Sequence, residues 1–212
     1  VKNINVLGSS NPQFLTDVNG TLFFSADDGV NGTELWQSDG TTAGTVMVKN
    51  INVLGSSNPQ FLTDVNGTLF FSADDGVNGT ELWQSDGTTA GTVMVKNINV
   101  LGSSNPQFLT DVNGTLFFSA DDGVNGTELW QSDGTTPGTV MVKNINLSGS
   151  SNPQFLTDVN GTLFFSADDG VNGTELWRLG GETTPEPITD DKGCFIGTAA
   201  QSERRGVNGG RD

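Results

Sequence analysis

The stretch from Gln13 to Trp36, QFLTDVNGTLFFSADDGVNGTELW, decides the fold. Asn19-Gly20 lies between two β-prone runs, and both of its residues tolerate the positive φ of a type I′ turn, so the runs on either side form a tight hairpin. Asp27-Asp28-Gly29-Val30-Asn31-Gly32 is a longer hairpin loop, dense in residues that turn the chain. It leads into a third strand, Thr33–Ser38, which Asp39-Gly40 closes. A fourth run, Thr45–Ile51, ends in the return Gly55-Ser56-Ser57-Asn58-Pro59. Three hairpin turns and one return make a four-stranded antiparallel meander.

This text is written four times at a spacing of 47 residues, with copies beginning at Val1, Val48, Val95 and Val142. The first two copies are identical, and the third differs only at Pro137, where the others have Ala43 and Ala90. A period of this length marks a repeat architecture. The strands are apolar on both faces at Leu22-Phe23-Phe24, Leu35-Trp36 and Val46-Met47-Val48, so each small sheet needs cover on both sides. Identical sheets stacked face to face provide it. Radial stacking gives a β-propeller, whereas a linear β-solenoid would leave Phe and Trp bare at its ends. The expected fold is therefore all-β, a propeller of four-stranded antiparallel blades over residues 1–180, followed by a flexible C-terminal tail, 181–212.

The phase of the repeat adds an expectation about closure. The chain starts inside a fourth strand (Val1-Lys2-Asn3-Ile4), and its last copy departs from the pattern after the third (Glu175-Leu176-Trp177). The N-terminal strand is expected to complete the last blade and close a four-bladed monomer without an orphan edge. Interchangeable copies also allow two chains to join in an eight-bladed homodimer. The chain begins with neither an initiator Met nor a secretory leader, and it reads as a mature product or a piece of a longer one.

Composition narrows the function classes. A net charge of −16 disfavours nucleic acid and anionic membrane surfaces. No apolar run is long enough to insert as a membrane-spanning helix. The chain has no His and one Cys, so it offers no histidine triad, no internal disulfide and hardly any zinc ligands. Phosphate-loop patterns are missing as well. A carboxylate pair for glycoside hydrolysis needs two different environments, and repetition supplies the same one each time. The expectation is that the chain is not an enzyme.

The run Glu34-Leu35-Trp36-Gln37-Ser38-Asp39-Gly40-Thr41 resembles the signature of the ELWxxDGT repeat family of bacterial proteins. It recurs at Glu81-Leu82-Trp83 with Asp86-Gly87-Thr88, and at Glu128-Leu129-Trp130 with Asp133-Gly134-Thr135. The fourth copy departs from it, with Arg178-Leu179-Gly180-Gly181 after Trp177. The resemblance implies a propeller-like domain in secreted or surface proteins and no known chemistry. It points to a binding or display scaffold for a protein or carbohydrate ligand, outside a bacterial cell. A purely structural repeat module, a spacer or assembly unit, is the alternative. Leu35 and Trp36 are expected to point to opposite faces and fill the spaces between neighbouring sheets.

The acidic positions are the one candidate functional set. Asp27, Asp28 and Glu34, with Asp74, Asp75 and Glu81, Asp121, Asp122 and Glu128, and Asp168, Asp169 and Glu175, are expected on one rim. Rings of oxygen ligands there suit a hard cation such as Ca²⁺. The competing reading is ordinary turn chemistry, because Asp-Asp-Gly and Asn-Gly are hairpin formers. No other cofactor is expected. Asn19 and Asn31 each open an Asn-Gly-Thr triplet of glycosylation type, which hairpin chemistry also explains. In the tail, Cys194-Phe195-Ile196 with Thr198-Ala199-Ala200 resembles a short element near the C-termini of some bacterial exported proteins, implying sorting or anchoring through the Cys.

Overall fold

The structure, a computed structural model, describes residues 2–179 and the backbone of 185–190 and 193–196. It contains four antiparallel sheets built in strict chain order, and no helix among the described residues. The first sheet is β1 (Gln13–Val18), β2 (Thr21–Asp27), β3 (Thr33–Ser38) and β4 (Val46–Lys49). The second is β5 (Gln60–Val65), β6 (Thr68–Asp74), β7 (Thr80–Ser85) and β8 (Val93–Lys96). The third is β9 (Gln107–Val112), β10 (Thr115–Asp121), β11 (Thr127–Ser132) and β12 (Val140–Lys143). The fourth is β13 (Gln154–Val159), β14 (Thr162–Asp168), β15 (Thr174–Leu179), β16 (Pro185–Asp190) and β17 (Gly193–Ile196).

The hairpin at Asn19-Gly20 forms as the sequence demands. Both residues have positive φ, 52° and 81°, and Asp17 Oδ1 accepts the Gly20 N–H at 3.0 Å. The β1–β2 ladder then breaks in a bulge between Gln13 and Thr16, where Phe14 takes a φ of 54°. A left-handed Phe is uncommon and costs on the order of 1–3 kcal/mol. Phe61, Phe108 and Phe155 repeat it. The four rings form a ladder across β1, β5, β9 and β13, with centroids 6.2–6.4 Å apart. These inner strands pack successively, and Thr16 Oγ1 donates to the Leu62 carbonyl of the neighbouring sheet at 3.1 Å.

Between sheets, the core is built from two unlike faces. At the first junction, Val18, Phe23, Leu35 and Val48 meet Leu69, Phe71, Ala73 and Trp83 of the next sheet. The second and third junctions repeat the arrangement with Leu82 against Trp130 and Leu129 against Trp177. Leu35 and Trp36 do face opposite sides, so each of the two inner sheets gives one junction its Leu and another its Trp. Burying side chains of this size stabilises by about 1.5–3 kcal/mol each. Lys49 adds a polar clasp: its Nζ lies 5.8 Å from the Trp83 ring and donates to the Thr92 carbonyl at 2.7 Å. Lys96 repeats both contacts one copy on.

Closure differs from the expectation. The N-terminal segment does not complete the last sheet, because β15 pairs instead with β16, Trp177 opposite Pro187 and Leu179 opposite Pro185. That strand and β17 come from the segment read as a flexible tail. Residues 2–4 are not a strand and lie against the first sheet, with Lys2 Nζ 5.7 Å from the Trp36 ring. Lys2 occupies on Trp36 the place that Lys49 occupies on Trp83, but Lys49 is also paired in its own sheet opposite Leu35, and at β15 the edge is held by β16 instead. The sheets therefore form an array that does not close into a ring. Val159 is 47% exposed in the fourth sheet, against 5–6% for Val18, Val65 and Val112.

Candidate functional site

The β2–β3 loop and the connector leaving β4 meet on one rim. In the loop, Asp27 Oδ1 accepts the Gly29 N–H at 2.6 Å. Asp28 Oδ1 accepts Val30 N–H and Asn31 N–H at 2.9 and 2.7 Å, and its Oδ2 accepts the Asn31 amide at 2.7 Å. Asn50 from the connector then donates to Asn31 Oδ1 at 2.9 Å. Partial burial pushes the Asp28 carboxyl up, but the donors of Asn31 and Val30 outweigh it and hold it below the ordinary range. Asp75 and Asp122 repeat the balance, and at Asp169 the Asn172 N–H leads the same lowering. These are Asx turns that consume carboxylate oxygens in shaping the loop.

Glu34 does something else. It is fully buried, and both its oxygens are acceptors for the connector: Oε2 from Ile51 N–H at 2.9 Å and Ser57 Oγ–H at 2.5 Å, Oε1 from Ser57 N–H at 3.1 Å. Glu81 and Glu128 are buried in the same way, with Ile98 and Ser104, and Ile145 and Ser151, as donors. Burial pushes all three carboxyls up, and the hydrogen-bond donors of the connector only partly offset it. Each Glu is thus the anchor that pins one copy's connector. The sequence reading placed it on the rim with the aspartates but missed its burial. The available signal was an acid in the middle of a strand apolar on both faces.

The twelve acidic positions are therefore not a common ligand set. Asp27, Asp74, Asp121 and Asp168 cap their own turns, Asp28, Asp75, Asp122 and Asp169 cap the loop tips, and Glu34, Glu81 and Glu128 sit inside the junctions. Among the described glutamates, Glu175 alone is exposed. Among the described residues, no three His, Cys, Asp or Glu side chains converge as they would around a metal ion. The Cys194 side chain and Thr198-Ala199-Ala200 lie outside the described residues.

What the rim does present is apolar. Val30, Val77, Val124 and Val171 stand at the loop tips, 85–87% exposed, and Leu54 on the adjoining connector is 93% exposed. Leu7, Leu101 and Leu147 stand equally clear in theirs. On the opposite rim, Asp39 Oδ1 accepts the Thr41 N–H and Oγ–H at 2.8 and 2.7 Å, which shapes the turn after β3. Those bonds, the side-chain one first, hold the Asp39 carboxyl below its ordinary value. A polar cleft of about 260 Å³ lies between the third and fourth sheets, lined by Gln107, Phe108, Ser119, Asp121, Asn152 and Gln154.

Sheets of this form, repeated in chain order, resemble the blades of propeller folds. No family model and no curated protein matches the sequence. Among solved structures, a puromycin hydrolase S511A mutant is similar over 85% of this chain and 28% of its own, with TM-score 0.55 and 15% identity. A putative TolB from Agrobacterium tumefaciens is similar over 87% of this chain and 67% of its own, with TM-score 0.52 and 8% identity. The chain thus spans under a third of the hydrolase. At such identities the likeness concerns the fold alone, and TolB is itself a propeller protein. No helix among the described residues is long and apolar enough to cross a membrane.

Proposed function

We propose that this chain is a non-enzymatic binding or display scaffold, and that its ligand-facing surface is the rim of β2–β3 loops and connectors. The observation that carries the reading is the repeated aliphatic tip. Val30, Val77, Val124 and Val171 are held out by loops whose own polar groups are internally bonded, so the exposed surface is shaped and apolar at equal intervals. Apolar surface marks an interaction site when it gathers in a patch, and single exposed aliphatic residues are ordinary. The reading therefore rests on the recurrence of the tips beside exposed leucines of the connectors. Equal spacing suits a ligand that repeats as well, a surface polysaccharide or an array of identical proteins. The resemblance of Glu34–Thr41 to a bacterial repeat signature supports a place outside the cell. Calcium is not needed for this reading, since the loop carboxylates already spend their oxygens on N–H donors.

Immobilised panels of bacterial surface polysaccharides and envelope proteins test it. Reproducible binding is expected, and changing Val30, Val77, Val124 and Val171 together to Ser should abolish it with melting unchanged. Binding to no member, or binding indifferent to those changes, would overturn the reading. It would favour a purely structural assembly unit, for which the two uncovered end faces of the array speak.

A further inference from the structure

The three internal junctions specify, atom by atom, what a sheet in this chain packs against, and both halves of a fourth junction are left over at the ends. At the trailing end, Glu175 is exposed and has no hydrogen-bond partner among the described residues, whereas Glu34, Glu81 and Glu128 each bind a connector. No atom of the described residues lies within 4 Å of where a Cβ on Gly173 would stand, although the matching positions at Gly32, Gly79 and Gly126 meet Ser56, Ser103 and Ser150. Leu176 is 50% exposed where Leu35, Leu82 and Leu129 are fully buried.

At the leading end the complementary partners wait. Ile4 and Ser10 stand where Ile51 and Ser57 stand one copy later, and Ser10 is already seated, its carbonyl accepting the Asp27 N–H at 2.9 Å as the Ser57 carbonyl accepts that of Asp74. Their own N–H groups have no acceptor among the described residues. Leu22 is only half-buried, whereas Leu69, Leu116 and Leu163 are sealed. Beside it opens a largely apolar cavity of about 580 Å³, lined by Ile4, Pro12, Leu15, Leu22 and Phe24. Space is also open over Gly20 and Gly40, at positions where Gly67 meets Asn19 and Gly87 meets Gln37 of the preceding sheet.

We infer that these two ends bind each other between two copies of this chain, head to tail, with Glu175 of one copy taking the Ile4 and Ser10 donors of the other. A substitution in β15 strengthens the assignment. In the internal junctions Gln37 and Gln84 reach the Asp86-Gly87 and Asp133-Gly134 turns, the Gln37 Oε1 standing 2.8 Å from a Cβ position on Gly87. The residue at that place in the fourth sheet is Arg178, and the turn it would reach is Asp39-Gly40, whose carboxylate is exposed. A neutral contact inside the chain thus becomes an Arg–carboxylate pair between chains, an arrangement suited to bidentate bonding. Two such junctions close a two-fold ring of eight sheets, while an unclosed rotation gives a head-to-tail string.

Light scattering on the full chain over a dilution series tests the inference. The expected mass is twice the 22.2 kDa chain, or a larger multiple if a string forms. Arg178→Glu should weaken association at least tenfold, and adding Asp39→Arg to it should restore most of the loss, which a merely structural role for either residue would not do. Arg178 is half-buried in the single chain and its side chain engages no acceptor among the described residues, so dilute Arg178→Glu should keep the parent's circular dichroism. Asp39→Arg removes the acceptor of Thr41 and should lower melting by itself, so the rescue is read as association relative to Asp39→Arg alone. A chain that stays at single mass up to millimolar concentration overturns the inference, as does association that Arg178→Glu leaves unchanged. The outcome is independent of the rim, which the Val→Ser set addresses.

Discussion

The junction between the third and fourth sheets and the bare face of the fourth carry nearly the same side chains in different surroundings. Val112, Phe117 and Leu129 are buried in their junction, while the corresponding Val159 and Leu176 are half in water. Glu128 is wholly enclosed by Ser151 and Ile145, and Glu175 faces solvent. The difference shows that a residue's contribution in a repeat protein belongs to the interface it completes rather than to its place in the copy. Repeat arrays gain stability from each neighbour contact in addition to each unit.

The sharpest way to break that comparison is through the tryptophans, which are buried at every copy. Trp83→Ala or Trp130→Ala should cost about 3–5 kcal/mol by urea unfolding, since each opens a cavity between two sheets. A loss under about 1 kcal/mol would mean that the junctions are not the source of stability. The leucines sharpen it further. Leu69→Ala and Leu116→Ala, at fully buried sites, should cost about 2–5 kcal/mol. Leu22→Ala, on the open face, should cost less than half as much, and equal losses would show that this face is covered in solution.

Glutamate gives an intermediate test. Both oxygens of Glu81 accept backbone N–H groups, from Ile98 at 2.9 Å and Ser104 at 3.0 Å, so an amide in its place must turn N–H toward N–H. Glu81→Gln should therefore cost about 1–3 kcal/mol, and Glu175→Gln under about 0.5 in the dilute chain. Protonation is easier to accept than the amide, because a neutral carboxyl can point its one proton at Ser104 Oγ and still receive Ile98. The pH dependence follows. Glu34, Glu81 and Glu128 have carboxyls raised by burial above their ordinary 4.5. The folded chain then holds protons that the unfolded chain has released, so their contribution is fully present below pH 4.5 and is lost as pH rises through the folded values. The lowered Asp28, Asp75 and Asp122 act oppositely, contributing above 3.8 and losing it as pH falls through their folded values. Urea midpoints measured from mild acid to neutral should decline, and Glu81→Gln should shallow that decline.

The smallest effect concerns the single difference between the second and third copies. Pro137 stands in a turn whose bonds, Gly138 N–H to Thr135 Oγ1 at 3.0 Å and Thr139 Oγ–H to the Thr135 carbonyl at 2.7 Å, match those around Ala90. The turn accepts proline without loss, so Ala90→Pro should stabilise by about 0.4–1 kcal/mol through the unfolded chain. A destabilised variant would show the two turns to be less alike than their bonding.

Much of this was legible in the residues alone. Asn19-Gly20 with its β-prone flanks set the hairpin, because few residues other than Asn and Gly enter that turn without strain. The two-faced apolar strands required stacked sheets, and Leu35 and Trp36 fell on opposite faces because strand side chains alternate. Local chemistry of this kind is carried by neighbours in the chain. Three matters were decided only by the assembled fold. Phe14 was forced to a φ of 54° by a bulge that the ladder of inner strands imposes, and nothing in Gln13-Phe14-Leu15 announces it. Glu34 became a buried anchor because Ile51 and Ser57, seventeen and twenty-three residues on, bring N–H groups that have no other acceptor. Closure, above all, was not in the repeat: identical copies state that every sheet wants the next, but the angle between sheets and the strand that reaches β15 first are properties of the whole array. In that array β16 took the edge, and the matching faces at the two ends were left apart.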